Sequence, residues 1–430
     1  MNSTIKARIE KIKNREVPEE YKRTKAGILP LEWDYCPLNK VSKKIKSKNH
    51  GKKIKKILTN SANEGIISQT EYFDKQIANN DNIEGYYVVN KCDFVYNPRI
   101  SVSAPCGPIN CYHGDKTGIM SPLYTVFSID YQTIDLNYIE QYFASSYWHR
   151  YMKSVANYGV RSDRMNIADE DFFLLPLPLP HMPEQKKIAE ILSTQDRVIE
   201  LKEKLLKEKQ RQKKYLMQQL LTGKKRLPGF SGEWKTLKLN KVLEERNEKN
   251  TEQNLEICSV AVKKGVVNQI EHLGRSFAAA DTSNYNVVRY GDIVYTKSPT
   301  GEFPFGIIKQ SQLDKAAVSP LYGVFKPITY ALGYILHCYF EVPINTNNYL
   351  NPIIQKGAKN TINISNSTFL SNKLLLPLDI KEQTAIAQIL STADKEIELL
   401  KKDIEQEKLK KKSLMQLLLT GIVRVNEFAI

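Results

Sequence analysis

The chain has 430 residues, 41% of them hydrophobic and 9% aromatic, with a formal net charge of +16. That is apolar material for two or three packed domains, and it excludes a disordered chain. The positive balance favours a polyanionic partner, nucleic acid first, with 23 tyrosines scattered among the basic residues as stacking surfaces.

The N-terminal stretch MNSTIKARIEKIKNREV is charged throughout and lacks the apolar core of a secretory signal. No apolar run reaches membrane-spanning length; FFLLPLPLP, from Phe172, is short and broken by prolines. A cytoplasmic protein without a membrane partner is the expectation. The six cysteines form no CxxC pair and read as reduced thiols. Cys106, Cys111 and His113 lie close together but are one ligand short of a zinc set, so they too are read as free thiols and no metal is expected.

The first globular block opens at GILPLEW (residues 27–33), and a second opens at LPGFSGEW (227–234). Both place turn residues before a Glu-Trp pair, followed by Leu38 and Val41 in one block and by Leu239 and Val242 in the other. Each tryptophan, Trp33 and Trp234, is expected to anchor a core. Inside the blocks YYVVNKCDFVYN (86–97) matches YNVVRYGDIVYT (285–296), and GIMSPLYTVF (118–127) matches AAVSPLYGVF (316–325). These β-branched and aromatic runs predict strands. The Pro-, Ser-, Gly- and Asn-rich loops between them share almost nothing, as in two modules with one framework and different recognition loops.

Each block ends in a long helical pattern. Residues 184–223 and 382–421 align without a gap at an offset of about 198 residues, with about half the positions identical. The apolar seam of the first is Ile188, Leu192, Ile199, Leu206, Leu216 and Leu220, with Gln195, Lys202, Lys209 and Lys213 between them. In the second it is Ile386, Leu390, Ala393, Ile397, Leu400, Ile404, Leu414 and Leu418, interrupted by Glu407 and Lys411. Alternating three- and four-residue steps predict two helices of about 60 Å packed on one another. Antiparallel packing, with the globules at opposite ends, is expected because it returns the chain near its start. The charged middle of the seam suggests that other subunits cover it, or that lysine stems lie along it.

The predicted fold class is α+β: two mixed α/β-sheet domains joined by two long antiparallel coiled-coil helices, an internal pseudo-repeat. The expected division is 1–182 for the N-terminal segment and first domain, 183–226 for the first helix, 227–380 for the second domain, and 381–430 for the second helix and tail. No GxxxxGK[ST] phosphate loop, dinucleotide fingerprint, Asn/Asp-Pro-Pro-aromatic tetrad or HExxH set is present. The Glu200-Leu201-Lys202 triplet mimics a nuclease Glu-x-Lys, but it lies in a Lys/Glu-rich helix where chance supplies such spacing. No catalytic residue and no bound cofactor are expected.

In its duplicated motifs the chain resembles the specificity subunits of Type I restriction–modification systems. The resemblance rests on PLPLPHMPEQKKIAEILS and PLDIKEQTAIAQILS, on LMQQLLTGKKRLPGF, and on GDIVYTKS at residues 291–298. It covers essentially the whole chain. It implies that each globule is a target-recognition domain reading half of a split sequence in double-stranded DNA. It also implies helices that set the spacing and dock two methyltransferase subunits, with S-adenosylmethionine, ATP and Mg on partner subunits, among them a restriction/translocase subunit. The first module departs from the pattern, with Cys92 in place of Gly291 and Asn97-Pro98-Arg99 in place of Thr296-Lys297-Ser298.

Lys43, Lys44, Lys46, Lys48, Lys52, Lys53, Lys55 and Lys56 form the clearest candidate face for phosphates. Arg99, and Arg161 with Arg164 in NYGVRSDRMNI, are the candidate base readers, because a guanidinium fork matches guanine. The corresponding positions of the second module are Lys297, Ser298, Lys359 and Asn360, with Gly159 and Gly357 equivalent in the two loops. Two other readings compete: a bipartite DNA-binding regulator that works without partners, and a coiled-coil scaffold whose charge binds RNA or acidic protein.

Overall fold

Each apolar run predicted as a strand supplies two. In the computed structural model, which describes residues 3–70, 80–157, 163–356 and 362–425, Tyr87–Val89 and Phe94–Tyr96 are separated by a turn. Asn286–Arg289 and Ile293–Tyr295 are separated in the same way. A carboxylate closes each turn: Asp93 accepts the Asn90 N–H at 2.6 Å, and Asp292 accepts that of Arg289 at 2.8 Å. The preceding residue is left-handed in both, Cys92 at φ 70° and Gly291 at φ 86°. The cysteine therefore keeps the glycine's conformation, at a local cost of roughly 1–2 kcal/mol. Asp292 is further held by two bonds from Arg246 (2.6 and 2.9 Å), whereas Asp93 has no such partner and burial pushes its carboxyl upward.

The chain divides into two compact units, Met1–Lys202 with Asp403–Ile430, and Glu203–Lys402. Both contain a four-stranded antiparallel sheet of identical order. In the first unit it runs Ser42–Lys44, Thr125–Ile129, Phe94–Tyr96, Ile109–Cys111. In the second it runs Leu243–Glu245, Gly323–Pro327, Ile293–Tyr295, Ile308–Gln310. A second layer is one four-stranded sheet in the second unit, where Ile257–Ala261 pairs parallel to Lys315–Val318. In the first unit it is two separate antiparallel pairs, Leu58–Ser61 with Gly65–Ser68 and Tyr87–Val89 with Gly118–Met120, linked by an isolated bridge from Ile57 to Ile119. Aromatic packing fills the core under the main sheet, with Phe94 stacked on Phe127 in one unit and Phe325 on Phe369 in the other.

Two helices, Met182–Leu220 and Ile380–Leu418, have 39 residues each. Of their seam residues, Ile188, Leu192, Leu220, Ile386, Leu390, Ile397, Ile404 and Leu418 are buried, and Ile199, Leu206, Leu216, Leu400 and Leu414 are half-buried. They pack antiparallel. The start of the first helix and the end of the second share one core with Trp33, and the end of the first and start of the second share another with Trp234. The seam's lysines pair with carboxylates of the same unit. Lys202 reaches Asp403 and Glu407 (both 2.7 Å), and Lys411 reaches Asp196 (2.6 Å). In the second unit Lys209 meets Glu396 (2.7 Å), and Lys213 meets Asp394 and Glu341 (2.6 and 2.7 Å). Solvent screens these partly exposed pairs, so they select direction and register more than they stabilise.

The Glu-Gln pair that opens each helix has a defined task. Glu184 accepts the Trp33 indole N–H (2.9 Å) and two bonds from Arg424 (2.7 and 2.9 Å). Glu382 accepts the Trp234 N–H (3.1 Å) and two bonds from Arg226 (2.7 and 2.8 Å). The amides of Gln185 and Gln383 tie down the preceding proline carbonyls, Pro180 and Pro377 (2.8 and 2.9 Å). Gly223 and Gly421 then end the helices in left-handed conformation. A Cβ at Gly421 would lie 2.6 Å from the Pro30 ring and 3.2 Å from Trp33.

Two stability measurements test this packing. Glu382→Ala strands the Trp234 N–H and a guanidinium that is 27% exposed; with water reaching part of that charge, the second unit should lose about 2–3 kcal/mol. An unchanged denaturation profile would show the clamp to be idle. Gly421→Ala should destabilise the first unit by about 1–2 kcal/mol through the left-handed backbone, with further loss from the Pro30 clash; its transition, not that of the second unit, should move.

Candidate nucleic-acid interface

The basic run of the first unit lies on the strand Ser42–Lys44 and the irregular chain after it. Ser42 is buried and Lys43 exposed, as strand alternation dictates. Lys43, Lys46, Lys48, Lys52, Lys53, Lys55 and Lys56 are all exposed. Lys48 lies 6.0 Å from the Tyr87 ring, and Lys56 lies 5.6 Å from that of Tyr112, whose hydroxyl accepts its ammonium proton at 3.0 Å. Lys44 differs: it is half-buried and engaged by the carboxylate of Asp169, so it is not a free phosphate ligand.

Two candidate readers chosen from separate loops come together. Arg99 and Arg164 face each other across an isolated antiparallel bridge, fixed by Ile100 N–H to Asp163 O (3.0 Å) and Met165 N–H to Pro98 O (2.9 Å). Both guanidinium groups approach one carboxylate oxygen of Asp163, at 3.9 and 3.6 Å, too far for a hydrogen bond. They flank an open cavity of about 530 Å³. Asn60, Asn63, Gln69, Asn97, Ser101, Ser103 and Tyr124 also line it, and Val102 stands fully exposed at the tip of the adjoining loop. A buried amide ladder supports its floor: Asn97 donates to Asn60 O (2.9 Å), and Asn110 to Asn60 Oδ1 (2.6 Å).

The asparagines and serines of this cavity were not singled out from the sequence. The cluster TNSANEG, residues 59–65, was the available signal, since it marks the tip of the hairpin Leu58–Ser61 with Gly65–Ser68. Arg161, Lys359, Asn360, Gly159 and Gly357 lie outside the described residues.

In the second unit Lys297 and Ser298 follow the strand Ile293–Tyr295, as Pro98 and Arg99 follow theirs. Ser298 is exposed and donates to Thr296 O (3.3 Å). Lys297 is left-handed (φ 56°) and half-buried, and that burial lowers its ammonium pKa against the opposing pull of Glu245. Half-buried, it presents less of its ammonium surface to solvent than the sequence position implied. A feature not foreseen is Arg275, stacked 4.5 Å over the ring centroid of Phe277 with both side chains exposed. Exposed cation–aromatic stacks of this type suit bases or phosphates.

Apolar side chains also stay uncovered on the long helices. Leu201 and Leu409 are exposed in the first unit, and Leu205, Tyr215 and Leu399 in the second. Among the described residues no helix is long and apolar enough to cross a membrane.

Residues 30–211 match the Type I restriction modification DNA specificity domain. A curated relative, the Type I restriction enzyme MjaVIII specificity subunit of Methanocaldococcus jannaschii, is 28% identical over 279 residues. That match covers 58% of this chain and 63% of the relative, so the chain spans under two thirds of it. Two solved structures share the fold. One, from a study of complex assembly and conformational transition of the Type I restriction–modification system, gives a TM-score of 0.53 at 14% identity, covering 92% of this chain and 99% of that one. The other, the Type I restriction–modification S subunit of M. genitalium, gives 0.52 at 13% identity, covering 90% and 96%. Over residues 30–211 the chain is thus similar to Type I restriction modification DNA specificity domains, and over about nine tenths of its length it shares the fold of these two structures.

Proposed function

We propose that this chain is the DNA-reading subunit of a Type I restriction–modification assembly. Each unit reads one half of a bipartite, asymmetric site in double-stranded DNA. The long helices set the spacing of the halves and dock two methyltransferase subunits through their exposed leucines. The chain itself is not catalytic. Adenine methylation uses S-adenosylmethionine on the methyltransferase subunits, and ATP- and Mg-dependent translocation and cleavage belong to a restriction subunit.

The observation that carries this reading is repetition with divergence. Two units share a four-stranded sheet of the same order and the same Trp–Glu–Arg clamp, yet differ in the loops that follow matched strands. A split, asymmetric target calls for two related but unequal readers.

In the first unit the exposed lysines neutralise phosphates and fix the register, a sequence-independent contribution. Arg99 and Arg164 address base edges. Because neither is hydrogen-bonded to Asp163, releasing them to a guanine O6 and N7 sacrifices little. The target adenine then leaves the stack for a pocket on the methyltransferase subunit.

Replacing Arg99 and Arg164 with alanine should relax recognition at one half-site only. Each bidentate arginine–guanine pairing is worth about 1–3 kcal/mol, roughly ten- to hundredfold in discrimination. Methylation-site mapping in cells that supply the methyltransferase subunits reads this directly, and equal change in both halves would refute one unit per half. Lys43, Lys46 and Lys48 replaced together by glutamine should weaken DNA binding uniformly across sequences. Every phosphate that is no longer neutralised should flatten the log K against log[salt] slope by about one. A changed motif with an unchanged slope would assign these lysines to base reading instead.

A further inference from the structure

Cys111 and His113 find in the fold the partner they lacked in the sequence. Cys111 ends the edge strand Ile109–Cys111, His113 follows two residues later, and Glu140 comes from the helix Leu136–Phe143 packed beside that strand. One ligand atom from each, a sulfur, an imidazole nitrogen and a carboxylate oxygen, lies within 4.8 Å of the other two. Cys106 is not part of the group; its thiol is directed at the His149 carbonyl, 3.8 Å away. We propose that Cys111, His113 and Glu140 form a site for a borderline-soft divalent cation, zinc by its chemistry.

Three observations carry the assignment. First, the donor set is one that zinc accepts, thiolate, imidazole and carboxylate, and the spacing needs only modest closure to reach bond lengths of roughly 2.0–2.3 Å. Second, Glu140 Oε1 is shielded from solvent and receives no hydrogen bond. The polar groups that face this carboxylate are the other two proposed ligands, His113 Nε2 at 2.7 Å and the Cys111 thiol. Third, the group borders an open cavity of about 510 Å³, which gives an ion a path in and leaves a fourth coordination position to water.

The second unit shows what the site replaces. Its matched strand ends at Gln310, with Gln312 two residues on, and its matched helix has Tyr334 five residues past the N-cap, where the first unit has Glu140. There the junction is closed by hydrogen bonds: the Gln310 amide donates to Gly291 O (3.1 Å) and Tyr330 O (3.2 Å). The first unit has no such amide, and a cation would join the same strand and helix in its place. The neighbouring Gln141 donates to Asp196 of the first long helix (2.9 Å), and Asp196 in turn takes Lys411 (2.6 Å). An ion bound to Glu140 therefore braces the sheet edge at the point where it meets the helix pair. Binding releases the Cys111 thiol proton to water, since only the thiolate ligates.

The test uses the purified full-length chain with Zn²⁺ alone in calorimetry and Co²⁺ alone in absorption. One saturable ion per chain is expected, with a sulfur-to-cobalt charge-transfer band and tetrahedral d–d intensity. His113→Gln, an exposed position given the second unit's residue, should fold normally and weaken binding by at least the roughly 10–100-fold that losing even an outer partner costs. Glu140→Gln should act likewise, and Cys92→Ser, a half-buried thiol outside the ligand set, should leave the band intact. Absence of the band, unchanged affinity in His113→Gln, or loss of the band in Cys92→Ser would overturn the site.

Discussion

The architecture depends on a carboxylate at the first turn of each long helix. Glu184 is gripped by Arg424, which follows the end of the second helix, and Glu382 by Arg226, which follows the end of the first. Each clamp therefore ties the start of one helix to the end of the other. Parallel packing would bring Glu184 beside Glu382 and Arg226 beside Arg424, two uncompensated like-charge pairs in largely buried surroundings. Antiparallel direction is thus written into four charged residues, with the tryptophans as the apolar wall against which they close. The first unit reinforces this closure at its terminal segments, where the Tyr21 hydroxyl donates to Gly421 O (2.6 Å) and Arg8 to Ile422 O (2.6 Å).

The middle of the helix pair follows the same logic at lower strength. A seam of leucines alone would tolerate sliding by a heptad and pairing in either direction. Lys202 between Asp403 and Glu407, and Lys213 between Asp394 and Glu341, forbid both without adding much stability, because these groups keep part of their hydration. Lys213 is the most enclosed of them; its partners raise its pKa despite the opposing cost of burial.

Much of this was legible in the sequence because it is local or repeated. The helices, their ends, the seam and the pairing of framework strands all follow from periodicity and from the second copy. The turn inside each long β run was missed, since a left-handed Cys92 carries no signature in a β-rich window; only its alignment with Gly291 hints at it. The pairing of seam charges was missed for a different reason. Lysines at heptad positions read as a defect until the carboxylates opposite them are known, and these lie on the other helix or, for Glu341, in the globular part of the second unit. At the candidate interface, Arg99 and Arg164 could be chosen as arginines in loops, but their adjacency comes from backbone bonds between distant segments. The polar floor of Asn60, Asn97 and Asn110 is likewise assembled only by the fold.

The clamps have an optical consequence. The chain has only three tryptophans, and Trp234 is the one that belongs to the second unit. Its indole is buried, hydrogen-bonded to Glu382 and lies 5.7 Å from a guanidinium carbon. Opening of that junction to water would shift its emission to longer wavelength. With Trp33 and Trp148 silenced, the protein would report the state of one helix junction by its own fluorescence, with no attached dye.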